Sequence, residues 1–151
     1  MGKKAKDKKN VIASMPEQAT WTFMSFVTES GRAVAEDWDT VQTFAAELAF
    51  RSMVKINRKT TNHLEWPAWR HPMDEEAGKA GVVELGFKED GKPYRFLCMF
   101  NGKKCIVVLC VAYHKGGVWT PPKAVDIATK RAKIVATGKA KLNVIQIEDD
   151  L

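Results

Sequence analysis

The sequence predicts an α+β fold: a small single domain in which an antiparallel β-meander is packed by a long N-terminal helix and a basic C-terminal helix. Three observations carry this. Residues 82–114 hold three apolar runs punctuated by Asp90-Gly91 and Asn101-Gly102, and such dipeptides are the strongest short-range hairpin signal because both turn residues need positive φ. Upstream, apolar residues recur at three- and four-residue steps from Asp37 to Asn57, the signature of an amphipathic helix. Downstream, a cationic helical pattern opens with two prolines and stops at Gly138, as helices do. The chain has 151 residues, 45% of them hydrophobic and 28% charged, enough for one real core and too few for two comfortable ones.

Along the chain, residues 1–14 read as a basic, disordered arm, 15–141 as the folded domain, and 142–151 as a C-terminal strand or acidic tail. TWTFMSFV (20–27) is a short strand or a helix start, and periodicity does not decide between them. In the long helix, Trp38, Val41, Phe44, Ala45, Leu48, Ala49, Met53 and Ile56 form the apolar stripe, with Glu47, Arg51, Lys55 and Arg58 outward. Residues 62–81, broken by two prolines and two glycines, read as a loop that carries Trp66 and Trp69. Strands are expected at 82–88, 93–100 and 103–114. Thr120 is placed to cap the last helix, whose first turn accepts Pro121 and Pro122 because the missing donors would be unsatisfied anyway. That helix runs to about Thr137, and KLNVIQIEDDL adds an edge strand.

Two-residue turns place Phe87 opposite Tyr94, Leu85 opposite Phe96, and Phe96 opposite Val107. One sheet face then collects Val83, Leu85, Phe87, Tyr94, Phe96, Cys98, Val107 and Leu109 against the long helix. The other carries Glu84, Gly86, Lys88, Arg95 and His114, with open space where Gly86 faces Arg95.

Several function classes are excluded. No apolar stretch approaches the roughly 20 residues of a membrane helix, and MGKKAKDKKN lacks the apolar segment of a secretion signal, so a cytoplasmic protein with no membrane partner is expected. Cys98, Cys105 and Cys110 are odd in number and read as reduced, buried thiols. His63, His71 and His114 lack metal-ligand spacing, and neither metal nor other cofactor is expected.

The net charge is +6, unevenly spread. Residues 88–141 hold 12 basic and 3 acidic side chains, whereas 11–87 hold 7 and 11. A field that cationic attracts phosphate or an acidic partner. On the last helix, Lys123, Asp126, Lys130 and Lys133 share a polar stripe and Arg131 sits at its boundary. The plain interpretation is a solvated surface. Position argues for more: the helix starts beside a strand end, Tyr113-His114-Lys115, on the same edge as Lys88 and Arg95.

That set suits RNA cleavage. RNA supplies its own nucleophile, the 2′-hydroxyl. The protein needs a proton carrier, for which His114 is the natural candidate, and cations against the phosphate charge. Tyr113 would serve with a shifted pKa or as a base-stacking platform. The opposing interpretation is a non-enzymatic nucleic-acid- or partner-binding module whose cations are only a phosphate footprint.

From Val82 to about Lys133 the chain resembles the RelE/HigB superfamily of toxins from type II toxin–antitoxin systems, in particular its phage-derived HigB-like branch. The family's Glu-Leu-Arg-Phe strand appears as Glu84-Leu85-Gly86-Phe87 and its Tyr-Arg as Tyr94-Arg95. The Phe-x-Lys-Lys strand end appears as Tyr113-His114-Lys115-Gly116, four residues before Thr120-Pro121, and Ala-x-x-Arg is Ala128 to Arg131. The resemblance implies a RelE-like fold and a metal-independent endoribonuclease that cuts mRNA on the ribosome and so inhibits translation. It also implies an antitoxin partner, a helix-turn-helix protein, covering the basic surface. By position Arg95 and Lys115 inherit phosphate-contacting roles, and Arg131 a structural or backbone one. Arg95 and Lys115 with His114 and Tyr113 make up the expected catalytic set, and Lys88, Lys123, Lys130 and Arg131 the expected RNA-binding set. Gly86 stands in place of the family's arginine and Gly116 in place of its second lysine. A ParE-like gyrase inhibitor is the alternative within the superfamily.

Overall fold

A single seven-stranded sheet organises the chain, of which the computed structural model describes residues 21–36, 44–89 and 91–147. In chain order the elements are β1 (Thr22–Val27), a 3-10 turn (Val34–Glu36), α1 (Phe44–Asn57), a second 3-10 turn (His63–Glu65), β2 (Trp69–Pro72) and α2 (Glu75–Lys79). They continue with β3 (Val82–Glu89), β4 (Lys92–Phe100), β5 (Cys105–Lys115), β6 (Val118–Thr120), α3 (Ala124–Ala136) and β7 (Lys141–Val144). The sheet order is β2-β3-β4-β5-β1-β7, with β6 paired to the far end of β5. Only β1 and β5 run parallel among these pairings. The fold is α+β, as the sequence predicts, and TFMSFV resolves as a strand.

The β3–β4 register is the predicted one: Gly86 pairs with Arg95, Phe87 with Tyr94 and Leu85 with Phe96. The next hairpin departs from expectation. Phe96 pairs with Val111 and not Val107, for two reasons. The turn is a four-residue loop, Asn101 to Lys104, closed by the Asn101 amide donating to the Cys105 carbonyl at 2.9 Å; both Gly102 and Lys104 take positive φ there. In addition, Leu97 pairs with Cys110 but Cys98 with Val108, so Leu109 is an extra residue, a β-bulge. Val107, opposite Met99, therefore lies on the face opposite Phe96.

Other boundaries also move. The expected loop at 62–81 contains β2, which extends the sheet, and α2. Thr120 ends β6 and does not cap the last helix; the cap position is Lys123, with no side-chain cap bond. Trp38, Val41, Asp90, residues 1–14 and the last acidic residues lie outside the described residues.

The two longer helices cover opposite faces. The Phe50 ring of α1 meets Phe96 at 4.9 Å between centroids. Pairing carries that face from Phe96 through Phe100 and Ile106 to Phe23. Phe26, three residues on, projects the other way, and there the Arg131 guanidinium of α3 lies 5.3 Å from its ring. α1 buries Phe50, Met53, Val54 and Asn57, a stripe at helical spacing. Two residues of the expected apolar stripe behave otherwise: Leu48 is 49% and Ile56 55% exposed. They sit about a quarter-turn or more from the buried row, and the helix has a second apolar side. On α3, Ala124, Ala128 and Ala132 are fully buried, letting its backbone approach the sheet. No described helix is long and apolar enough to cross a membrane.

Candidate functional site

Strand alternation puts Glu84, Gly86, Lys88, Arg95 and His114 on one sheet face, the α3 side. Arg95 lies opposite both Gly86 and Ala112, two small residues that leave room for its side chain. It uses that room. A Cβ at Gly86 would come within 2.6 Å of Arg95 Nη1, so the guanidinium crosses directly over the glycine. Its Nε lies 2.9 Å from Glu84 Oε2, and Nη1 donates to the Tyr94 carbonyl at 3.0 Å. Glu84 is the most enclosed partner, its side chain 9% exposed against 14% for Arg95. His71 on β2 brings Nε2 to 3.8 Å from Glu84 Oε1, and its Nδ1 lies 2.9 Å from the Pro72 carbonyl. Burial, then the charge of Arg70, lowers the Arg95 pKa, and Glu84 opposes both. Arginine stays a cation through such a shift.

His114 belongs to the same face but to the other end. It is half-buried and lies against Trp119, its cross-strand partner on β6, with ring centroids 4.6 Å apart and planes at 30°. A residue two places beyond Ala112 is a diagonal neighbour of Arg95, about 7–8 Å away between Cα atoms. Arg95 nevertheless leans along the strand towards Glu84 and away from His114. The tight turn at Gly116 and Gly117, both at positive φ, brings β6 back and supplies the Trp119 wall.

The remaining expected residues separate. Tyr113 faces the α1 side, edge-on to Tyr94 at 6.0 Å, with Lys92 Nζ 5.2 Å from its ring centre. Lys115 is exposed at the turn, on Tyr113's side of the strand. Lys88 is exposed on the Arg95 face, and Lys123 is exposed at the start of α3. Lys130 shares a cleft of about 280 Å³ with Asp74, Glu75, Glu76 and Lys133, where Lys133 Nζ sits 3.3 Å from Glu76. Arg131 turns inward, donating to the Leu109 carbonyl at 2.7 Å.

Arg95, His114 and Lys88 therefore share a face; Tyr113 and Lys115 do not join them there. Sequence reasoning missed the Glu84–His71 partnership of Arg95. In the predicted register Glu84 is already diagonal to Arg95, a usable signal. Arg70-His71 stand out in the sequence as cations that could replace those lost at Gly86 and Gly116, but nothing pointed to His71 as a partner of Glu84, because β2 reads as loop.

A family model described as phage derived protein Gp49-like matches residues 36–133, which include every expected site residue. No curated protein and no solved structure matches the chain. The match covers well over half of the sequence, so the chain belongs to the phage-derived Gp49-like family, a RelE/HigB-like toxin family of toxin–antitoxin systems.

Proposed function

We propose, from membership of this family, that the chain is the toxin of a toxin–antitoxin pair and that it cuts mRNA on the ribosome. The reading is carried by one observation: His114 and Arg95 hold diagonal positions on one sheet face of a cationic domain of a toxin family, from which a rotamer change of Arg95 would bring its guanidinium to the imidazole. The RNA 2′-hydroxyl attacks the adjacent phosphorus and the bond to the 5′ oxygen breaks, leaving a 2′,3′-cyclic phosphate and a 5′-hydroxyl. His114 moves the proton, and Arg95, with Lys88, balances charge on the phosphorane. Trp119 holds the imidazole plane. Lys115, at the turn, and Lys123 contact flanking phosphates. Tyr113 serves as a stacking surface on the opposite side of the rim. The antitoxin, an acidic helix-turn-helix protein encoded next to the toxin, holds it inactive in the cytoplasm.

One observation favours a second reading. The short Arg95–Glu84 contact already engages the guanidinium that would meet the phosphate, which fits a binding module without catalysis or a gyrase-directed toxin. The two are separated in a translating extract. Under the first reading the parent cuts a reporter mRNA and leaves cyclic-phosphate ends, while His114→Ala and Arg95→Ala, assayed where circular dichroism shows them folded, cut at least about 100-fold more slowly. A parent that leaves mRNA whole but halts DNA supercoiling establishes the gyrase reading. Variants that cut like the parent refute the site.

A further inference from the structure

The outer side of α1 is built like a receptor for another helix. Leu48, Ser52 and Ile56 follow one another at four-residue steps, and Arg51, Lys55 and Lys59 make a parallel row beside them. Together with Gln146 and Ile147, from the segment after β7, these residues line a groove of about 850 Å³. The helix's buried side is a different row, Phe50, Met53, Val54 and Asn57, so the groove is not a by-product of core packing. About half of the surface of Leu48 and of Ile56 faces solvent, which for two large aliphatic residues sharing one groove is a mark of an interaction site. Arg51 meets Glu47 at 3.6 Å within the helix, both well exposed. Such a pair contributes little and exchanges readily for a better partner.

We infer that this groove binds an amphipathic helix of the antitoxin, one presenting Leu, Ile or Val at i and i+4 and Asp or Glu along one flank. This rests on the toxin–antitoxin reading above. Nucleic acid is the poorer fit, because phosphate has no use for the aliphatic row, whereas a protein helix satisfies both rows at once. Arg51 and Lys55 lie one turn apart, about 6 Å of helix rise, and Lys59 continues the basic row in the turn just after Asn57. The groove lies on the α1 face of the sheet, opposite Arg95 and His114, so anchoring the antitoxin here and RNA chemistry there are separable by mutation.

The test uses the full chain and the purified protein encoded by the adjoining reading frame, with affinity measured by titration calorimetry. Leu48→Asp with Ile56→Asp, and separately Arg51→Glu with Lys55→Glu, should each weaken binding at least about 100-fold. Leu48 and Ile56 are exposed, and their variant should keep the melting temperature within a few degrees; Lys55 is half-buried, so the Arg51/Lys55 variant is titrated where circular dichroism shows it folded. His114→Ala should bind like the parent. Unchanged affinity in both groove variants overturns the inference and leaves the toxin–antitoxin reading standing. An adjoining protein that does not bind the parent at all overturns both. A parent dimer that Ile56→Asp converts to monomers, or loss of RNA affinity without loss of antitoxin affinity, would assign the groove to a second copy or to RNA, and each overturns the inference.

Discussion

Removing Glu84 leaves Arg95 enclosed without its carboxylate. In Glu84→Ala the guanidinium keeps its hydrogen bond to the Tyr94 carbonyl but loses the 2.9 Å contact. Breaking a buried ion pair from one side costs about 3–5 kcal/mol. Arg95 retains a little solvent access and the carbonyl bond, which brings the expected loss to or just below that range, about 2–3 kcal/mol. For a domain of this size each kcal/mol corresponds to roughly 2–4 °C, so the melting temperature should fall by about 5–10 °C. Urea unfolding should show the same change in midpoint at constant slope, since the exposed surface is unaltered. The decisive measurement is the double-mutant cycle with Arg95→Ala. Once the guanidinium is gone, the remaining cost of losing Glu84 should drop sharply, giving a coupling of at least about 1.5 kcal/mol. Additivity within about 0.5 kcal/mol would refute the claim that these two groups hold one another over Gly86.

Three further outcomes follow from the surroundings of particular groups. Burial raises the thiol pKa values of Cys98, Cys105 and Cys110, that of Cys110 up to about 11; in the folded protein at pH 8 a thiol reagent should modify Cys98 and Cys110 only at the rate of unfolding, and rapid native labelling of either would contradict the burial. Burial first, then Lys104, lowers the His63 pKa; the folded state thus binds this proton less readily than the unfolded one, so the contribution is complete above about pH 6.5 and is lost as pH falls below it. Thermal melts at pH 7 and pH 5 should differ less in His63→Gln than in the parent, and an equal difference would refute the assignment. Arg131→Ala should cost about 1.5–3 kcal/mol, because it strips the Leu109 carbonyl of a charged donor, measured by urea unfolding; a neutral substitution that instead lowers RNA affinity would make Arg131 a surface contact.

Much of the fold was legible because its signals are local. Asp90-Gly91 fixed the β3–β4 register, and period-two alternation then assigned Gly86 and Arg95 to one face without any knowledge of the rest. What escaped depended on partners distant in sequence. β2 has only four residues, ends on Pro72 and follows Pro67 closely, and it becomes a strand only because β3 offers an edge. The outer row of α1 misled for the opposite reason. Leu48 and Ile56 fit a helical period as well as Phe50 and Met53 do, and only the position of Phe96 selects which row turns inward.

The bulge at Leu109 shows how one unforeseen residue can alter half of a face and spare the site. The real loop makes the strand pairing longer by three residues near Phe100 and, past the bulge, by four near Phe96. An odd displacement turns Val107 over to the other face; an even one leaves Tyr113 and His114 on the sides that simple alternation assigned. The extra residue also has a structural consequence. A bulge takes its backbone out of the regular ladder, and here the carbonyl of Leu109 is met by Arg131 from α3 at 2.7 Å. The family-matched arginine of the last helix thus fastens that helix to β5 at the irregularity, while its guanidinium covers Phe26 on β1. Arg131 therefore holds together three elements that frame the Arg95 face. Under the proposed nuclease function, its substitution should disturb RNA cleavage only through stability, and a lower assay temperature should recover the activity of Arg131→Ala but not that of His114→Ala.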